Sequence, residues 1–119
     1  MIVPPKVTNF AGLSANDGWV ITWTLGKNDI GKSADEVAAS AHKSAQIGGV
    51  FGTESAVVIE ASNDRKVYHT VTDQLNTPVD VAAPGIYGIP ITALELRPRV
   101  IGGDDTTKII VSLFVRKGT

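Results

Sequence analysis

A chain of 119 residues, 43% of them hydrophobic, has the length and composition of one domain that removes roughly two-thirds of its unfolded surface from water, and disorder is excluded. The formal net charge of -1, with basic residues scattered along the chain, leaves no electrostatic footprint for nucleic acid. With no cysteine there are neither disulfides nor thiolate metal sites, and no apolar run approaches the ~20 residues of a membrane helix.

The first residues, Met1-Ile2-Val3-Pro4-Pro5-Lys6, lack the basic start and apolar run of a secretion signal, so the expectation is a soluble protein made in the cytoplasm. Neither proline can donate a backbone hydrogen bond, which bars the segment from a central strand. Residues 1–9 therefore read as an extended N-terminal arm, and residues 10–119 as a single domain. An arm of this kind frays or lies on a neighbouring subunit, which makes Ile2, Val3, Pro4 and Pro5 candidate partner-binding residues.

Residues 18–25 form the first strand, in which Trp19, Ile21, Trp23 and Leu25 alternate with Val20, Thr22 and Thr24. The face carrying both tryptophans belongs to the core. Residues 26–43 read as a loop with one helical turn. Ser33-Ala34-Asp35-Glu36 has the form of a capping box, but the segment offers only Val37 and alanines for burial. Residues 44–51 make a strand whose Gly48-Gly49 signals a bulge or a close backbone approach.

From Ala56 to Arg116, short β-branched runs alternate with polar turns and no helical pattern interrupts them. Val57-Val58-Ile59-Glu60 leads through a turn at residues 62–66 into a strand at 67–71. Residues 77–82 and 86–89 flank the turn Ala83-Pro84-Gly85. Pro90 and Pro98 are expected at sheet edges or in irregular pairing. Residues 94–100 meet the turn Gly102-Gly103-Asp104-Asp105-Thr106, and residues 108–116 form a long final strand. There Ile109, Val111, Leu113 and Val115 face the core. Ile110 and Phe114 lie on the other face with Lys108, Ser112 and Arg116, and make it too apolar for a solvated surface. They are candidate contacts with another layer or subunit, the alternative being burial under the loop of residues 26–43. The pattern as a whole is all-β, an antiparallel β-sandwich or barrel.

One motif points elsewhere. Gly26-Lys27-Asn28-Asp29-Ile30-Gly31-Lys32-Ser33 matches G-x-x-x-x-G-K-[ST], in which glycines let backbone N–H groups curl round phosphates, the lysine reaches the terminal phosphates and the hydroxyl holds magnesium. Such a loop needs alternating strands and helices in a parallel sheet, and no crossover helix follows Phe51. The expectation is a polar inter-strand loop, with no cofactor. His42 and His69 have no partner at a ligand spacing, and no nucleophile lies beside a base and an orienting group, so no enzymatic role is expected. Asp104-Asp105 could be imagined as a calcium loop, but with Gly102-Gly103 and Thr106-Thr107 reads as a hairpin. Arg97-Pro98-Arg99 reads as the flank of an edge strand whose arginine stems cover apolar neighbours.

Across residues 19–116 the chain resembles a group of small tailed-phage virion proteins. The resemblance rests on Trp23 with Asn28-Asp29-Ile30-Gly31, Ser44-Ala45-Gln46-Ile47-Gly48-Gly49-Val50-Phe51-Gly52, Val57-Val58-Ile59-Glu60-Ala61-Ser62-Asn63-Asp64 and Tyr68. It continues through Asp73, Pro84-Gly85-Ile86, Leu96-Arg97-Pro98-Arg99-Val100, Gly102-Gly103-Asp104-Asp105-Thr106-Thr107 and Val111-Ser112-Leu113. Where that pattern favours a glycine after Asn-Asp and a tryptophan in the next strand, this chain has Arg65 and Tyr68. The resemblance implies a jelly-roll-like β-sandwich and a capsid decoration, or cement, protein on the exterior of the virion. Such a protein is assembled in the host cytoplasm and stabilises the icosahedral head by bridging subunits of the major capsid protein. A homo-oligomer, dimer or trimer, would multiply modest contacts through effective concentration. The alternative roles on the same scaffold are a tail- or fibre-associated component and a glycan-binding module.

Overall fold

The computed structural model describes residues 1–9, 18–39 and 42–116. Ser40 and Ala41, part of the alanine-rich run with helical propensity, lie outside the described residues. Eleven strands, counted among the described residues, form two sheets packed face to face. The six-stranded sheet runs in the order β1 (Ile2–Val3), β4 (Ile30–Gly31), β10 (Glu95–Ile101), β6 (Ala56–Ser62) and β7 (His69–Thr70), with β8 (Asp80–Val81) also on β6. The five-stranded sheet runs β2 (Lys6–Asn9), β3 (Gly18–Leu25), β11 (Lys108–Arg116), β5 (Lys43–Val50) and β9 (Gly85–Ile89). Every pair is antiparallel except β1 with β4.

Alternation drives this packing. Ile21, Trp23 and Leu25 of β3, Ile109, Val111, Leu113 and Val115 of β11, and Ala45 and Ile47 of β5 are buried against Val57, Ile59, Leu96 and Val100 of the opposite sheet. Each larger side chain contributes roughly 1.5–3 kcal/mol by leaving water. At most connections the chain crosses from one sheet to the other, as in β3 to β4, β5 to β6, β8 to β9, β9 to β10 and β10 to β11.

The first nine residues do not leave the domain as an arm; they lie along it. Ile30 N–H donates to the Met1 carbonyl at 2.9 Å and Lys32 N–H to the Val3 carbonyl at 2.8 Å, while Lys6–Asn9 pair with β3. Pro4 and Pro5, which have no N–H to offer a ladder, form the corner where the chain passes from the edge of one sheet to the edge of the other. The proline argument against a central strand fits these edges, but the short strands on either side find partners.

Of the two expectations for Pro98, an edge or irregular pairing, the second holds: β10 pairs with β4 only at Arg99 and Ile30. Pro98 lies inside β10, between β4 and β6. On the β4 side, Val100 N–H reaches the Asp29 carbonyl at 2.8 Å and Leu96 N–H reaches Ser33 Oγ at 3.0 Å. Pro98, which has no donor, falls between them beside Gly31. A Cβ at residue 31 would lie 2.8 Å from the Pro98 ring and 2.8 Å from Trp23 Cδ1. The absent side chain therefore admits the proline ring, and the Ser33 hydroxyl supplies an acceptor where β4 has ended.

The helical turn within residues 26–43 is a 3-10 helix, Asp35–Ala39, packed against β10 and β11 with Val37 fully buried. At Gly48-Gly49 the register with β11 runs on without a bulge. The close approach is real: a Cβ on Gly49, whose φ is +97°, would meet the Lys108 carbonyl oxygen. The strands expected at 67–71 and 77–82 are each only two residues long, His69–Thr70 and Asp80–Val81.

The Gly31 contact with Pro98 and Trp23 makes a paired prediction. Gly31→Ala lowers unfolding free energy by about 1–3 kcal/mol, because neither ring nor backbone can yield cheaply. Gly48→Ala, where nothing lies within 4 Å of the new methyl, leaves it unchanged or raises it by roughly 0.5–1 kcal/mol. Urea titrations of the two variants check both signs.

Candidate functional site

The outer face of the five-stranded sheet is where Ile110 and Phe114 emerge. Antiparallel register aligns three rows across it: Val20, Phe114, Ser44 and Gly88; Thr22, Ser112, Gln46 and Ile86; Thr24, Ile110 and Gly48. None of these side chains is charged. Ile110 is 41% exposed and Ile86 68%, while Val20 and Phe114 are half-buried. The small Ser44 and Ser112 between larger neighbours leave a shallow depression of about 300 Å³, walled by Val20, Phe114 and Ile86. Lys6 on β2, with Lys108 and Arg116 at the ends of β11, holds the charges at the margin. The described part of the loop at residues 26–39 packs into the core through Ala34 and Val37, so Ile110 is left to solvent.

The other nominated residues lie apart from this face. Ile2 is 64% exposed on β1, at the edge of the six-stranded sheet, while Val3 packs against the core. Pro4 is exposed and Pro5 half-buried at the corner between sheets. The structure thus separates the two nominated groups. It adds Ile86 and Val20 to the apolar face, which sequence periodicity could not do: which strand neighbours which is a matter of register.

The outer face of the six-stranded sheet is charged. Glu60 on β6 lies opposite Arg97 and diagonal to Arg99 of β10, with Arg97 Nε 2.8 Å from its Oε1 and Arg99 Nε 3.5 Å from its Oε2. Although it lies on an outer face, Glu60 is only 5% exposed. A carboxylate so desolvated needs both its cation and good geometry, since removing one partner of a buried pair costs about 3–5 kcal/mol. The Arg97 guanidinium carbon stands 3.5 Å from the centre of the Tyr68 ring, a cation–π stack. Tyr68 in turn donates its hydroxyl to Glu95, a bond that raises the phenol above its usual range, and Arg65 Nε lies 3.4 Å from the other Glu95 oxygen. Arg97 and Arg99 do not flank an edge strand, because β10 lies between β4 and β6; Arg97 covers Tyr68, and both arginines reach Glu60.

The segment 26–33 has its own structural account. Gly26 N–H donates to the Asp29 carboxylate, Asn28 N–H to Gly102, Asp29 N–H back to Gly26, and Ile30 and Lys32 N–H to Met1 and Val3. These donors face acceptors within the protein, whereas a phosphate cradle would turn them toward a ligand. Gly31 and Ser33 serve Pro98 and Leu96, as described above. His69 is exposed on β7, and no group of three metal-ligating side chains occurs among the described residues.

No protein family, curated protein or solved structure matches this chain.

Asp104 braces one end of the sandwich, where the turns after β3, β5 and β10 meet. Its carboxylate accepts N–H groups from Thr106 and Thr53, each at 2.8 Å, and the Thr106 hydroxyl at 2.6 Å. Thr107 links the same hairpin to the Phe51 carbonyl at 2.9 Å, and Gly102 N–H reaches Asn28 Oδ1 at 2.8 Å. These donors, the Thr106 hydroxyl foremost, hold the Asp104 carboxyl well below the usual carboxylate range. A carboxyl with a depressed folded pKa adds stability above its unfolded value of about 4 and loses it as pH falls toward the folded one. Asp104→Asn therefore lowers the thermal midpoint at neutral pH, and the gap from the parent protein narrows progressively below about pH 4. Differential scanning calorimetry across that range measures the narrowing.

Proposed function

We propose that the protein is a non-enzymatic capsid decoration protein of a tailed phage, and that it clamps neighbouring major capsid subunits from the outside of the head. The observation that carries this reading is the uncharged outer face of the five-stranded sheet, where Phe114, Ile110, Ile86 and Val20 lie side by side. Apolar area left in water costs roughly 25 cal/mol per Å², so a continuous face of this kind favours a protein contact. We assign it to the contact between copies of this chain. With Lys6, Lys108 and Arg116 confined to its margin, the uncharged centre of the face can meet its own two-fold or three-fold copy without burying like charges.

Strand order supports the jelly-roll part of the proposal. The sets β3-β11-β5-β9 and β4-β10-β6-β8 place four strands in each sheet with most connections crossing between them, as a jelly-roll reading requires. Against a glycan-binding role, Trp23 is buried and Trp19 packs against the core, so neither presents a sugar platform. Ile2 and Pro4, exposed at the far edge, add a second contact, for the capsid subunit. An oligomer then binds several subunits at once, and each further contact gains effective concentration. That arrangement resists genome pressure without any chemical step.

Purified protein added to heads that lack it occupies fixed icosahedral positions and raises their resistance to heat. The pair Ile110→Asp and Phe114→Ser, which removes the apolar face, yields a folded monomer in sedimentation velocity and lowers head occupancy at least about tenfold through lost multivalency. Binding confined to tail assemblies or to host polysaccharide would overturn the reading.

A further inference from the structure

On the opposite side of the molecule from the apolar face, we propose that the groove beside Arg97 receives a carboxylate side chain presented by a partner polypeptide. The inference rests on the adhesive reading above only in taking the partner to be a protein. The groove, about 490 Å³, runs between β1, β4 and Arg65 and Tyr68 of the loop that follows β6. Its charged walls are three cations, Lys32, Arg65 and Arg97, against two carboxylates, Asp35 and Glu95. Glu95 is already engaged by Tyr68 and Arg65. Glu60, beneath, is shared between two guanidinium groups. One positive charge is therefore uncompensated here, in a chain whose net charge is -1.

Arg97 has the preorganisation that recognition of a carboxylate needs. Its Nε is fixed by Glu60 at 2.8 Å and its plane by the Tyr68 ring, so one of five N–H donors is committed and the guanidinium cannot swing away. A planar fork held in this way matches the two oxygens of a carboxylate. Beneath the groove, Arg99 Nε lies 3.5 Å from the second Glu60 oxygen, so Glu60 does not neutralise Arg97 alone. The choice of a polypeptide over a small anion comes from the opposite wall. Ile2 is exposed there, next to Gly31, and offers an apolar surface that a free phosphate or carboxylate would not use. Acidic and aliphatic residues alternating along an extended segment fit both walls.

The isotopically labelled full chain is titrated with a blocked tetrapeptide of alternating leucine and glutamate, with its glutamine counterpart and with inorganic phosphate. The glutamate peptide moves the amide resonances of Gly31, Lys32, Ser33 and Tyr68. The glutamine peptide binds at least about tenfold more weakly, as loss of charge-assisted hydrogen bonds requires, and added salt weakens the glutamate complex. Glu60→Gln with Arg97→Met removes the buried pair together and weakens binding at least about tenfold. Lys32→Gln and Arg65→Gln, both on exposed side chains, weaken it by smaller factors and decide the matter should the double variant fail to fold. Equal binding of the glutamine peptide, resonance changes away from the groove, or phosphate binding more tightly than the peptide would each overturn the proposal. Occupancy of phage heads is a separate measurement, so failure of either idea leaves the other readable.

Discussion

The two sheets are joined by one contact on which much else depends, the seating of Trp23 against the β4 segment. Trp23 belongs to β3, yet its indole N–H donates to the Lys32 carbonyl at 2.9 Å, and its ring lies where a side chain on residue 31 would have to go. Pro98 packs on that residue from β10. A fully buried tryptophan, a residue without a side chain and a residue without an N–H thus fit together at the point where the six-stranded sheet closes over the five-stranded one. Each compensates for what another lacks: Gly31 gives the rings room, and the Ser33 hydroxyl takes a hydrogen bond that a longer β4 would have taken. The same seam holds the first residues in place, because Ile30 and Lys32 supply the donors for Met1 and Val3.

From this seam the molecule acquires two unlike outer surfaces. One sheet presents threonine, serine, glycine and aliphatic side chains, with its charges at the margin. The other presents a buried carboxylate between two arginines, with tyrosine stacked on one of them. An uncharged surface makes contacts that are nearly indifferent to ionic strength, while a charged one makes directional contacts that depend on complementary charge.

Much of the fold is written in the local pattern. The alternation in residues 18–25 and 108–116 assigns the faces of β3 and β11 residue by residue, and the polar clusters at 62–66 and 102–107 mark turns whose side chains do hydrogen-bond to nearby backbone. What is not legible is pairing. Nothing near Ile86 says that it stands on the same face as Phe114 with Gln46 between their strands, and nothing near Glu60 names Arg97 as its partner thirty-seven residues on. Pro98 announces an edge or irregular pairing, but not which, because the choice depends on how short the neighbouring β4 is. The loop of residues 26–33 shows how a motif taken alone, without the absence of a following crossover helix, would mislead. Its glycines and serine suit a phosphate by local geometry, but they answer to a proline and a backbone amide far along the chain.

The crossing connections have a consequence for timing. The uncharged face is not a contiguous stretch of polypeptide: β11 inserts between β3 and β5, and its Ile110, Ser112 and Phe114 form the middle of every row. Until that strand arrives, β3 and β5 are separated and the uncharged face does not exist. Folds dominated by non-local pairings of this kind form slowly, over about milliseconds to seconds. β11 therefore completes the uncharged face, and a chain in which that strand is unpaired presents no such surface.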